Sequence, residues 1–113
     1  MERNQYIPVM IQSLKKKSEI LDTIMELNIR QSEELENPAL DPDDFDKTVE
    51  EKSKQIEKLD LLDDGFQELF DRVKDDLKNH QDIYRDEIAQ MQDYIRKLTS
   101  KSATIQVQEA RNK

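Results

Sequence analysis

FDKTVEEKSKQIEKLDLLDDGFQELFDRVKDDLKNHQDIY, residues 45–84, is the stretch that decides the fold. Phe45, Val49, Lys52, Ile56, Leu59, Asp63, Phe66, Phe70, Val73, Leu77, His80 and Tyr84 follow one another at alternating steps of four and three, and nine of these twelve are apolar or aromatic. Such spacing places a narrow apolar stripe along one helix. A stripe of that length cannot be covered by the helix that carries it, so another helix must bury it. The chain is built to bind helices, its own first.

Working outward, Asp41-Pro42-Asp43-Asp44 supplies an N-cap acceptor, a proline at the first helical position and two carboxylates in the electropositive first turn. This predicts a helix starting at Pro42. Pro38 disfavours helix at Asn37 and so closes the preceding element. As a calcium loop the acidic cluster fails, because Phe45 and Asp46 replace a ligand and the turn glycine and Lys52 stands where a bidentate Glu is required. The seam holds its phase through Asp64-Gly65, so Gly65 reads as a helical residue that permits close packing.

Upstream, Ile7, Leu14, Leu21 and Leu35 recur at sevens with Asn28 between them, and Ile20, Ile24 and Leu27 form a second row beside that seam. The spacing predicts a first helix over 7–36, with Pro8 tolerated in its first turn. Two adjacent apolar rows allow it to touch two neighbours.

Downstream, Tyr84, Ile88, Met91, Ile95, Leu98 and Ile105 form another seam. The steps 80–84–88 are both fours, which means either a stutter in one long helix or a turn near Lys78-Asn79-His80-Gln81 with Asn79 as N-cap. The turn is favoured, since helices of about 45 and 57 Å at 1.5 Å per residue can then pair as a hairpin. The expected elements are helices over 7–36, 42–79 and 81–104 in one domain. Residues 105–113 form a frayed tail, because residues 100–108 contain Thr, Ile and Val and hold helix weakly. The expected fold is all-α: an elongated antiparallel hairpin with a third helix, a coiled-coil-like three-helix bundle.

Composition excludes other classes. With 113 residues, one Gly and 39% charged side chains, the chain is too small and polar for a deep globular core. Lack of cysteine removes disulfides and thiolate metal sites, and no apolar run reaches the roughly 20 residues that span a bilayer. A cytoplasmic location is expected. The net charge of -8 disfavours nucleic acid. The charge is uneven: eight acids against Lys47 between Glu33 and Glu50, and five bases against Glu109 from Arg96 onward. A single histidine, His80, without a nucleophile partner, and the absence of a Glu-x-x-His pair or a glycine-rich phosphate loop give no basis for catalysis or a cofactor.

The helix with Leu14, Leu21 and Leu35, the bend Asn37-Pro38-Ala39-Leu40-Asp41-Pro42-Asp43-Asp44 and the following stretch over 45–60 together resemble the first two helices of FlgN-type flagellar export chaperones. There a two-row acidic helix precedes a short bend and a threonine- and lysine-containing stretch with Ile-x-x-Leu, which Lys52, Ile56 and Leu59 match. Arg96-Lys97-Leu98, Ile105, Glu109 and Asn112 resemble the family's last helix. The resemblance implies a small cytoplasmic chaperone without catalytic activity. It would hold hook-filament junction subunits unassembled and deliver them to the export apparatus, as a monomer or homodimer. It also implies a client contact on the C-terminal helix, at Ile95, Leu98, Ile105 and Val107. The competing class is a structural coiled-coil scaffold, possible as a homodimeric spacer.

Overall fold

The computed structural model describes residues 4–37, 39 and 41–112, so Pro38 and the last lysine of the basic tail, Lys113, lie outside the described residues. It contains three helices in chain order: α1 (Tyr6–Glu36), α2 (Pro42–Asn79) and α3 (Arg85–Arg111). No strand occurs among the described residues, and the all-α reading holds. The body measures 63 × 20 × 15 Å, which fits long helices lying side by side. No helix among the described residues is long and apolar enough to cross a membrane.

α2 begins where its capping residues dictate. The Asp43 amide donates to Asp41 Oδ1 at 3.0 Å, Pro42 takes the first helical position, and Asp43 and Asp44 lie in the first turn. At the other end the His80 amide closes α2 on the Asp76 carbonyl, and the Ile83 and Tyr84 amides donate to the His80 carbonyl. The break expected between the second and third helices is therefore present. Its details differ from the sequence reading: Asn79 is the last residue of α2 rather than the N-cap of α3, and α3 starts at Arg85 rather than at residue 81. α3 also continues to Arg111, so residues 105–111, expected to fray, are helical. Their weak propensity is overridden by tertiary contacts that the sequence does not reveal.

α1 is the shared partner of both other helices. Ile7, Met10, Leu14, Leu21, Ile24 and Leu27 are buried, and α1 packs against α2 on one side and α3 on the other. Only Leu35, at the end of the expected row, is exposed. α1 and α2 are antiparallel, as Lys17 with Asp63 and Gln31 with Lys52 show. α1 and α3 are parallel, with Lys101 Nζ donating to Ser18 Oγ at 2.7 Å and Gln108 Nε2 donating to the Met25 carbonyl at 3.4 Å. No Cα of α2 comes within 8 Å of a Cα of α3.

Half of the seam over 45–84 is corrected. The row Phe45, Lys52, Leu59, Phe66, Val73 faces α1 as expected, each being buried or half-buried. Its expected companion row is turned away: Val49 is 45% exposed, Ile56 44% and Phe70 39%. The inward companions are instead Thr48, Gln55, Leu62, Leu69 and Asp76, one residue earlier in each heptad. Polar members of this row enter because they find partners. Thr48 Oγ1 donates to the Phe45 carbonyl at 2.7 Å, Gln55 Nε2 to Glu51 Oε1 at 2.9 Å, and Asp76 Oδ2 accepts from Tyr84 and Asn4. A hydrogen-bonded polar group is buried at little cost.

Gly65 is helical, but its expected role in close packing is overturned, since a Cβ there would meet nothing within 4 Å. Gly65→Ala should therefore stabilise the chain by about 0.5–1 kcal/mol, because it restricts the unfolded chain and strains nothing. Thermal melts of the two proteins test this, and a lowered midpoint would mean that space beside Gly65 is required.

Candidate functional site: an apolar groove between two helices

Because α2 and α3 each pack on α1 and stay apart from one another, a groove runs between them over Met10, Leu14 and Lys17 of α1. Near the turn it forms a cleft of about 440 Å³. Met10 of α1 gives its floor, Phe66, Phe70 and Leu77 the α2 wall, and Ile88, Met91 and Ile95 the α3 wall. The groove continues past Leu98 to Thr99, Ser102, Ala103 and Gln106, over Leu14 and Lys17. Phe66 and Phe70 stack with ring centroids 6.5 Å apart and planes inclined by 11°.

Helical periodicity explains why this surface is apolar. Val49, Ile56, Asp63, Phe70 and Leu77 recur at sevens and lie about 50° around α2 from the row that meets α1. Ile88, Ile95 and Ser102 hold the matching place on α3. In the middle of the groove Asp63 is neutralised by an ion pair with Lys17 of α1. Such a surface leaves an apolar strip of α2 and α3 open to solvent beside α1.

The two ends of the groove are held differently. At the turn, Tyr84 is buried, accepts from the Asn4 amide at 3.0 Å and donates to Asp76 Oδ2 at 3.1 Å, while Asn4 Nδ2 also donates to Asp76 at 3.2 Å. Three chain segments thus meet on one phenol. At the bend end Lys52 reaches from α2 across the groove. Its Nζ donates to Asn28 Oδ1 at 3.0 Å and Gln31 Oε1 at 3.2 Å and pairs with Glu109 of α3 at 2.7 Å. Asn28 Nδ2 in turn donates to Gln108 Oε1 at 3.1 Å, and Asn112 Nδ2 to the Asn28 carbonyl at 2.9 Å. This polar layer closes the groove where Lys52 meets Glu109.

The four residues implied as a client contact are distributed over different surfaces. Ile95 lines the groove and is 48% exposed. Leu98 is buried and Ile105 half-buried against the core, so both mainly hold α3 to α1. Val107 is 51% exposed and lines none of the groove. The structure joins Ile95 instead to Phe66, Phe70, Leu77 and Ile88, which sequence reading had placed in internal seams. The signal that could have separated them was the excess of rows: α2 carries more apolar heptad positions than one neighbour can cover.

Nothing in the described residues forms a cluster of His, Cys, Asp or Glu able to hold a metal ion. His80 lies at the turn, 3.7 Å from Asp76 Oδ1, as the C-cap of α2. Compared with known proteins, the chain matches no family model, no curated protein and no solved structure.

Two stability measurements check this assignment of faces. Val73, fully buried, should lose about 2 kcal/mol on truncation to Ala, whereas Phe70→Ala should lose about 1 kcal/mol or less because its ring already meets solvent. Equal losses in denaturant titrations would place Phe70 in the core. For the polar layer, Lys52→Met should cost about 1–2 kcal/mol by leaving Asn28 and Gln31 oxygens without their donor. Hydrogen exchange should accelerate over residues 105–111 and not over 88–98; uniform acceleration would deny the layer its local role.

Proposed function

We propose that this protein is a non-catalytic chaperone that captures an amphipathic helix of a client protein in the groove between α2 and α3. One observation carries this reading: Val49, Ile56 and Phe70 stand at the spacing of a helix–helix seam, yet are 39–45% exposed beside the row that meets α1. Laying a client's apolar face there removes both surfaces from water and leaves the client helix unable to self-associate. The resemblance of the bend and flanking helices to FlgN-type export chaperones supports a finer assignment. The clients are then late flagellar subunits of the hook-filament junction, held in the cytoplasm and passed to the export apparatus. A purely structural spacer would have no use for a groove whose two walls face the same way.

On this reading the contact centres on Phe70, Leu77, Ile88 and Ile95, with Leu98 and Ile105 behind it. Calorimetric titration with the terminal helix of a hook-filament junction subunit tests it. Phe70→Glu and Ile95→Glu should each weaken binding at least about tenfold, about 1.4 kcal/mol, while Val107→Glu leaves it unchanged. Absence of binding to any such subunit would remove the flagellar assignment, and loss through Val107 alone would move the contact to the opposite face of α3.

A further inference from the structure

The charges along the groove give it a direction. Beside the apolar row of α2 run two outer rows at seven-residue steps: Asp46, Ser53, Asp60, Gln67, Lys74, and Glu50, Glu57, Asp64, Asp71, Lys78. Each contains only acidic or neutral residues until its last member, which is lysine. Both lysines line the cleft near the turn, together with Gln81 and Gln92. Toward the polar layer the same rows carry Glu57, Asp60 and Asp64. The facing rim of α3 repeats the trend, from Arg85 through Gln92 and Thr99 to Gln106. Lys74 lies 3.9 Å from Asp71 and Arg85 3.9 Å from Asp82, all highly exposed, so these pairs neutralise the basic end only weakly.

From this gradient, and resting on the groove being a helix-binding site, we infer that the bound helix lies parallel to α2, with basic residues toward its N-terminus and carboxylates in its last turns. Charge matching fixes where the basic and acidic ends of the client lie, and the helix dipole fixes which of them is the N-terminus. Acidic side chains or the α-carboxylate of the client meet Lys74 and Lys78, while its basic residues meet Glu57, Asp60 and Asp64. The helix dipole adds to this, since its positive end points to the acidic rim and its negative end to the lysines. Along α3 the groove runs from Ile88 to Gln106, about 27 Å, the length of an 18-residue helix. A helix with bases first and acids last opposes its own dipole, so it is poorly formed alone and gains structure on docking. The charge pattern thus selects segments that are unstructured before capture.

Two labelled 18-residue peptides with one leucine stripe test the direction. One carries lysines in its first half and glutamates in its second; the other has the reverse order and is the better isolated helix. Fluorescence anisotropy at low ionic strength should show the first binding about threefold tighter, because the second can match the rim charges only by docking antiparallel with its dipole opposed, and the preference should be lost in high salt. In a Lys74→Glu/Lys78→Glu variant the order of affinities should reverse, while circular dichroism confirms an unchanged fold. Equal affinities for wild type, or an unchanged preference in the double variant, overturn the direction and leave the groove as a helix site. Binding of neither peptide, or undiminished binding to Phe70→Glu, overturns the groove reading as well.

Discussion

Everything in this structure depends on one helix having two neighbours. α1 supplies six of the buried apolar side chains, from Ile7 to Leu27, whereas α2 contributes Val73 and α3 Met91 and Leu98, with Tyr84 at its start. α2 and α3 are each stable only as covers for α1. Since burial of apolar area is the main favourable term, each flanking helix turns its best partnered row toward α1 and leaves the adjacent row facing outward. The groove is the geometric remainder of that arrangement: two walls brought to face the same side by a floor that both require.

The ends of the bundle show how a narrow core is kept in register. Apolar stripes alone tolerate sliding by a heptad, and a chain that is 39% charged has little apolar area with which to resist it. Specific polar contacts supply the discrimination. Tyr84, Asp76 and Asn4 fix the turn end, and Lys52 with Asn28, Gln31, Gln108 and Glu109 fixes the other. Between them Lys17 and Asp63, and Lys101 with Ser18 and Asp22, tie α1 to each partner in turn. Displacement by one heptad would leave the partly buried donors and acceptors among them unmatched, which costs more than their net contribution when paired. The molecule is therefore held at two polar ends around an apolar groove, and the proposed helix capture would draw on that preorganisation.

Much of this was legible residue by residue. The capping group Asp41-Pro42-Asp43-Asp44 marked the start of α2 because the chemistry is local: an oxygen two residues before an amide, a ring with fixed φ. The two rows of α1 announced two neighbours for the same reason, as periodicity on a helix fixes angular position. The candidate site was legible only in part. Ile95 was named and does line the groove, but Leu98 and Ile105 are packed inward, and Phe70, assigned to the interior, is 39% exposed on the α2 wall. Two rows of α2 lay about equally well placed on either side of the Phe45–Val73 row, and hydrophobicity favoured Val49, Ile56 and Phe70 over Thr48, Gln55 and Leu69. Thr48 and Gln55 keep partners on α2 itself, the Phe45 carbonyl and Glu51, so their burial costs little; what the sequence does not display is Asp76 meeting Asn4, a partner distant in the chain.

The sequence by itself determined the class of the fold: three helices, their main boundaries, and a central helix with two faces. These follow from local propensity, capping and periodicity, which act within a few residues. Tertiary structure decided which rows are covered, where α3 begins and ends, and that α2 and α3 flank α1 without meeting. Those outcomes rest on side chains some 80 positions apart, such as Asn4 with Tyr84 and Asn28 with Gln108. Only when such pairs have formed does a surplus apolar row become an open groove.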